Sequence, residues 1–122
     1  ESLVAEIRYG DFRLLLTGDV GKEGEEKMRE AGLLAPVTVL KAAHHGSGTS
    51  SGQEFLKAVD PAFVVLSCGR ENRYSHPSPE VVKALKKQGA GIWDTRERGA
   101  VMVWTDGRTM DISGYLDSRK GI

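Results

Sequence analysis

The sequence predicts an α/β domain, α+β in its segregation of elements, with a mixed sheet of about seven strands and about three helices on one face. Three observations lead to this prediction. A β-patterned hairpin opens the chain, apolar strand-like runs then alternate with helical segments, and a second hairpin follows. Alternating strands and helices are typical of parallel neighbours in a sheet, and the hairpins add antiparallel pairs.

The first hairpin is predicted from two β-patterned runs, 3–9 and 12–17, on either side of Gly10-Asp11. A two-residue turn that contains glycine is a favoured connection between antiparallel strands. Residues 22–31, which read KEGEEKMREA, are predicted as a helix that ends at Gly32. Glycine is common just after the last turn of a helix.

Two apolar runs in the middle of the chain predict buried strands. The run 37–43 is apolar except for a threonine and a lysine, and the run 63–67 leads into a polar loop over 69–78. Such near-continuous runs suit strands that are covered on both faces. Between them, residues 53–59 are predicted as a helix with Ser50 or Ser51 as its N-cap.

The last third of the chain predicts a helix, a short strand and a hairpin. Ser78 followed by Pro79 is a typical start for the helix, which is expected to reach residue 88. A short strand is predicted over 92–94. Two alternating runs, 100–105 and 109–113, flank Asp106-Gly107, which is a strong hairpin signal.

Length and charge limit the classes of function. The 122 residues fit one domain, and 17 basic residues balance 17 acidic ones. Proteins that hold nucleic acid by neutralising phosphates usually carry a basic excess, so any such contact here should be local. The single cysteine excludes an internal disulfide and a cysteine-based structural zinc site. The chain opens without methionine, directly on a strand-like run, so we expect it to be part of a longer protein.

Polar residues with metal-binding chemistry follow three of the predicted strands. They are Asp19, the pair His44-His45 and His76. The carboxyl ends of strands in α/β sheets gather at one edge, where ligands bind. A carboxylate and imidazoles form a typical ligand set for zinc, manganese or iron, and a carboxylate that bridges two metals suits phosphodiester hydrolysis.

Each of these residues also has a simpler interpretation. Asp19 could cap the helix that follows it, because aspartate is a favoured N-cap. His44 and His45 could be hydrogen-bonded loop residues, and His76 could be a turn residue before a proline. The sequence pattern leaves both readings open.

Three further residues are candidates for contacts with a substrate, namely Lys41, Ser47 and Arg73. Lysine and arginine side chains can bind phosphate, although such residues usually lie at a solvated surface. Ser47 lacks the Gly-X-Ser-X-Gly pattern of a hydrolase nucleophile, so it is not expected to attack the substrate.

Four stretches of the chain together resemble a known family. In order they are LLLTGD (14–19), VLKAAHHGSGTS (39–50), RENRYSHPSPEVVKAL (70–85) and GIWDTRERGAVMVW (91–104). The set resembles the C-terminal half of a metallo-β-lactamase-fold hydrolase domain, in particular that of ComEC-type DNA-internalisation proteins of natural transformation. The resemblance covers essentially all of residues 1–122 and implies a partial metallo-β-lactamase fold.

The resemblance also implies roles for individual residues. Asp19 matches the aspartate that bridges two metal ions, zinc or manganese, in active members. One of His44 and His45 matches a late histidine ligand. The other, with His76, would contact phosphate or transfer a proton, which makes His45 and His76 the candidate catalytic residues.

The implied function is that of a nuclease domain in a membrane channel for DNA uptake. DNA and the channel portion of the same parent chain would be its partners, and the domain would lie on the extracellular side of the cell membrane. Active members carry a His-X-His-X-Asp-His loop upstream, and this chain has no such signature. We therefore expect weak or no zinc binding, no hydrolase activity, and a bare sheet face that favours a homodimer. Alternatives are a non-catalytic interaction domain of the channel or a related hydrolase of small esters or phosphoesters.

Overall fold

The computed structural model describes residues 3–18, 20–42, 52–67 and 79–117. These residues form a five-stranded sheet, a two-stranded sheet and four helices. In chain order the elements are β1 (Ala5–Tyr9), β2 (Phe12–Leu16), α1 (Lys22–Glu30), β3 (Val39–Lys41), α2 (Gln53–Val59), β4 (Phe63–Leu66), α3 (Pro79–Gln88), β5 (Gly91–Asp94), α4 (Thr95–Arg98), β6 (Val101–Thr105) and β7 (Met110–Gly114).

The larger sheet is mixed and its strands follow the order of the chain, β1-β2-β3-β4-β5. β1 is antiparallel to β2, whereas β2, β3, β4 and β5 are all parallel. Parallel neighbours need crossover connections, which α1, α2 and α3 provide. The predicted mixed α/β architecture is therefore confirmed.

The second hairpin forms a sheet of its own. β6 pairs antiparallel with β7, and the described residues show no pairing of either strand with the larger sheet. The sequence predicts one sheet of about seven strands; the structure divides seven described strands into five and two. The division follows from α4, a four-residue helix that turns the chain away directly after β5.

One face of the larger sheet carries the three longer helices. Alternate strand residues such as Leu15, Leu40 and Val64 point to this face, and they form one buried cluster with residues of α2 and α3. Met28 of α1 packs against the same cluster. Each fully buried leucine stabilises the fold by about 1.5–3 kcal/mol, so this face anchors the strands whose ends are considered below.

The opposite face of the sheet is only partly covered. The turn of the second hairpin contacts the turn of the first, where the Asp11 amide donates a hydrogen bond to the Gly107 carbonyl at 2.6 Å. At the other end, the guanidinium of Arg98 lies 4.3 Å from the centre of the Trp93 ring. Ile7 on this face is still 48% exposed.

The start of α2 differs from the prediction. Ser50 and Ser51 lie outside the described residues, and the N-cap is Gly52, which makes no side-chain capping bond. The amide of Gly52 instead donates a hydrogen bond to the carboxylate of Glu25 on α1. In the part of the chain that the structure describes, no helix is long and apolar enough to span a membrane.

Candidate metal-binding edge

The four parallel strands end at the same edge of the sheet, here called the candidate edge. Leu16 of β2 lies opposite Lys41 of β3, and Lys41 lies opposite Val65 of β4. Adjacent strands are about 5 Å apart, so the chain leaves β2, β3 and β4 within about 10 Å. The structure thus brings together the three strand ends that precede the predicted site residues, as the sequence predicts.

The predicted metal and catalytic residues themselves lie outside the described residues. They are Asp19, His44, His45 and His76, together with the substrate-binding candidates Ser47 and Arg73. Their roles stay predictions. The described residues nearest to them in the chain, at the ends of the strands, define the framework of the edge.

The ends of β2 and β3 are joined by a buried hydroxyl group. Thr17 is fully buried, and its Oγ1 donates a hydrogen bond to the Lys41 carbonyl at 2.7 Å. The Thr17 carbonyl accepts the amide of Val20 at 3.1 Å, which closes a turn directly after β2. Gly18 in this turn has a φ of 55°, a conformation that glycine adopts without strain. The chain around position 19 is therefore fixed to β3 from its start.

Lys41 is the one predicted substrate-binding residue that the structure describes. Its side chain is partly buried, and its Nζ donates a hydrogen bond to the carbonyl of Ala42 at 3.0 Å. The ammonium group is therefore held at the end of β3, on the opposite face from Leu40. Its proposed contact with a substrate stays a prediction.

A further acidic residue, Asp94, ends β5 at the candidate edge, opposite Leu66 of β4. Its side chain is almost buried and is the N-cap of α4, where Oδ1 accepts the Arg96 amide at 2.8 Å. The Arg96 guanidinium also binds this carboxylate, with Nη2 to Oδ2 at 2.7 Å. The sequence analysis assigned no role to Asp94, although the stretch Asp-Thr-Arg after a strand is a recognisable N-cap pattern.

Glu25 is the second buried acidic residue, and the sequence analysis missed it as well. It lies on α1 with 2% of its surface exposed, and Oε1 accepts the Gly52 amide at 2.9 Å. Its partner is on a different helix, far away in the sequence. No local pattern could have indicated this contact.

The chemistry of the donors at this edge can be compared with what zinc requires. An aspartate and two histidines are ligand types that zinc accepts. The described residues contain no cluster of three or more histidine, cysteine, aspartate or glutamate side chains that could hold a metal ion. Asp94 is already engaged by Arg96, so the fit in ligand type rests on Asp19, His44 and His45.

Comparison with known proteins identifies relatives over most of the chain. No family model matches the sequence. The chain is 33% identical over 114 residues to ComE operon protein 3 of Bacillus subtilis, an alignment that covers 93% of this chain. It is 38% identical over 104 residues to the competence protein ComA of Neisseria gonorrhoeae, with 83% of the chain covered.

A third relative, recombination protein 2 of Haemophilus influenzae, is 32% identical over 102 residues and 84% of the chain. In each case the alignment spans only a small part of the relative, 13% to 15% of its length. The similarity is therefore to one segment of much longer proteins. Over most of its length, this chain is a homologue of a segment of ComEC-type competence proteins.

Proposed function

We propose that this chain is the C-terminal half of a metal-dependent phosphodiesterase or nuclease-like domain in the DNA-uptake channel of natural transformation. The observation that carries the proposal is the common edge at which β2, β3 and β4 end. Asp19 follows the first of these ends, the His44-His45 pair the second, and the loop with His76 the third. Homology with competence proteins supports the setting in DNA uptake.

In the proposed site, Asp19 bridges two zinc or manganese ions and either His44 or His45 binds one of them. Bound metal supplies a Lewis acid and a hydroxide ion at neutral pH, which is the chemistry that phosphodiester hydrolysis needs. The remaining histidine and His76 hold or transfer a proton at the phosphate oxygens.

Substrate contacts in this proposal come from Lys41, Ser47 and Arg73. The balanced charge of the chain, 17 basic against 17 acidic residues, supports local contacts with a few phosphates rather than an extended basic groove. DNA is the proposed substrate. The parent protein would lie in the cell membrane, with this domain on its extracellular side and joined to the channel portion of the same chain.

The site is incomplete within the 122 residues. A catalytic zinc ion usually takes about three protein ligands, and a two-metal site needs more donors than Asp19, His44 and His45 offer. The missing ligands would come from a histidine-rich loop of the preceding half-domain. We therefore propose that the 122-residue chain alone binds zinc weakly and does not cleave DNA.

A nuclease assay on the domain extended upstream tests the proposal. With zinc or manganese added, the extended domain should cleave DNA, and Asp19→Ala should abolish cleavage. Asp111→Ala, which removes an exposed carboxylate on β7, is the matched control and should retain activity. If Asp19→Ala cleaves DNA as fast as this control, the assignment of Asp19 to the metal site is wrong.

Two other functions compete with this one. The low number of histidines, three in the whole chain, favours a non-catalytic interaction domain of the channel. In that case the extended domain should bind DNA or channel segments without cleaving a phosphodiester at any metal concentration. A related hydrolase would instead cleave a small chromogenic ester or phosphodiester and leave DNA intact in the same assay.

A further inference from the structure

Glu25 is a buried carboxylate to which the proposed function gives no role. It is 2% exposed, although α1 is otherwise rich in charged residues that face the solvent. Burying a charge is costly unless hydrogen bonds compensate for the lost water. The hydrogen bonds of Glu25 therefore indicate what this part of the fold holds in place.

The partner of Glu25 is the residue at which α2 begins. Its Oε1 accepts the amide of Gly52 at 2.9 Å. The carbonyl of Gly52 accepts the amide of Leu56 at 3.0 Å, within the first turn of α2. Gly52 is thus fixed on both sides, by α1 through its amide and by α2 through its carbonyl.

This bond ties together the two chain segments on which the proposed metal site depends. Glu25 lies in the first turn of α1, and its own amide donates to the carbonyl of Gly21 at 3.0 Å. The start of α1 is linked to the end of β2 through the Val20–Thr17 hydrogen bond. In sequence, Asp19 precedes α1 and the histidine pair precedes Gly52.

We infer that Glu25 is a positioning residue for the metal site, which it serves by fixing the start of α2 against α1. The inference rests on the proposed function. Contacts that orient metal ligands typically change metal affinity by about 10- to 100-fold when they are removed. The Glu25–Gly52 bond lies outside the apolar cluster of the sheet and helices, so its loss should weaken zinc binding while the fold persists.

A pair of substitutions at Gly52 tests this inference. Gly52 has φ −63°, which both alanine and proline adopt, and an added Cβ would meet its neighbours at ordinary contact distances of 3.7 and 3.8 Å. Gly52→Pro removes the amide hydrogen and places its ring carbon against the carboxylate. Gly52→Ala keeps the amide hydrogen and is the matched control.

Zinc is titrated to millimolar concentration into each 122-residue variant, and binding is followed from the imidazole NMR signals of His44 and His45. The wild type should show weak, saturable binding, because a site with two or three donors still binds zinc measurably. Gly52→Pro should weaken zinc binding about 10-fold or more, and Gly52→Ala less than about threefold. At Glu25 itself, Glu25→Met should behave like Gly52→Pro, whereas Glu25→Gln, which keeps an acceptor, should restore binding.

The thermal unfolding midpoint of each variant separates positioning from general stability. Equal zinc affinity of Gly52→Pro and Gly52→Ala would overturn the inference, as would a loss in Gly52→Pro that only follows its lower midpoint. If the wild type itself shows no change at His44 and His45, the proposed metal site fails, and the positioning role fails with it. The two failures are thus distinguishable.

Discussion

The hydroxyl of Thr17 is the single side-chain contact that joins the described ends of β2 and β3. It is fully buried and donates to the Lys41 carbonyl at 2.7 Å. A buried carbonyl that loses its donor costs about 1–3 kcal/mol. This one residue therefore contributes both to stability and to the spacing of the two strand ends at the candidate edge.

Thr17→Val keeps the shape of the side chain and removes the hydroxyl. We expect it to lower the free energy of unfolding by about 1–3 kcal/mol in a urea titration, because the Lys41 carbonyl loses its donor. Thr109→Val is the control, since the Thr109 hydroxyl makes only an exposed contact with Asp106, and its effect should stay within about 0.5 kcal/mol. Equal urea midpoints for the two variants would mean that the Thr17 hydroxyl does not hold the edge.

At the scale of residues, the sequence predicts what depends on neighbours in the chain and misses what depends on distant ones. Asp94 caps a helix that begins at the next residue, so a local pattern was available. Glu25 binds the amide of Gly52, which no local pattern reveals. The metal candidates were predicted from their places after strands, and only the shared strand edge is confirmed.

The loop between β6 and β7 is an element held by one carboxylate. Hydrogen bonds from the amide of Thr109 and then that of Arg108 lower the pKa of Asp106 below its ordinary value. A carboxylate with a lowered pKa in the folded state stabilises the fold above its unfolded pKa of about 4. That stabilisation is lost as the pH falls through the lowered pKa of the folded state.

Asp106→Asn should therefore unfold at a lower temperature than the wild type near neutral pH. The difference in thermal midpoint should shrink as the pH falls below about 4, because the wild-type carboxylate then becomes neutral as well. Asp111→Asn, an exposed residue of β7, makes the same change in charge and should show a smaller difference at neutral pH. A gap between wild type and Asp106→Asn that is constant from neutral to acidic pH would contradict the role of the charge.

At the scale of elements, strand and helix types follow from the periodicity of the sequence, and the assembly of the strands follows only in part. The first hairpin at Gly10-Asp11 and helix α2 (Gln53–Val59) form as predicted. The division into two sheets was not predicted, because α4 has only four residues and gives no helical periodicity. The N-cap of α2 was wrong because a carboxylate from α1 binds the amide of the residue at which α2 begins.

The whole molecule has one face packed by helices and one that is partly open. Ile7, Leu14 and Phe63 lie in register on the open face, and Ile7 is 48% exposed. Large exposed apolar patches on a protein are usually covered by a partner. The homodimer that the sequence suggests stays a prediction, and this face is where we expect the contact.

Light scattering at high protein concentration tests the homodimer. The wild type should approach the mass of a dimer, and Ile7→Lys should reduce it to that of a monomer, because a charge on this face opposes burial. Leu33→Lys is the control, since Leu33 is 67% exposed and follows α1 outside the strands of the open face. A wild type that stays monomeric at every concentration would exclude association through this face.

For the whole molecule, the sequence predicts the mixed α/β class and the relationship to competence proteins, and both are confirmed. The path of parallel strands is predictable because each crossover helix is long enough to be read from its periodicity. The open face is harder to predict, since its covering depends on a short hairpin and on segments beyond these 122 residues. The completeness of the metal site has the same dependence.

The zinc content after dialysis tests the central claim, that the candidate edge is one half of a metal site. The 122-residue chain should retain no stoichiometric zinc, whereas the domain extended upstream should retain one or two ions per chain and lose them with Asp19→Ala. Zinc held stoichiometrically by the 122-residue chain alone would contradict the claim of an incomplete site. An extended domain that retains no zinc would contradict the metal site itself.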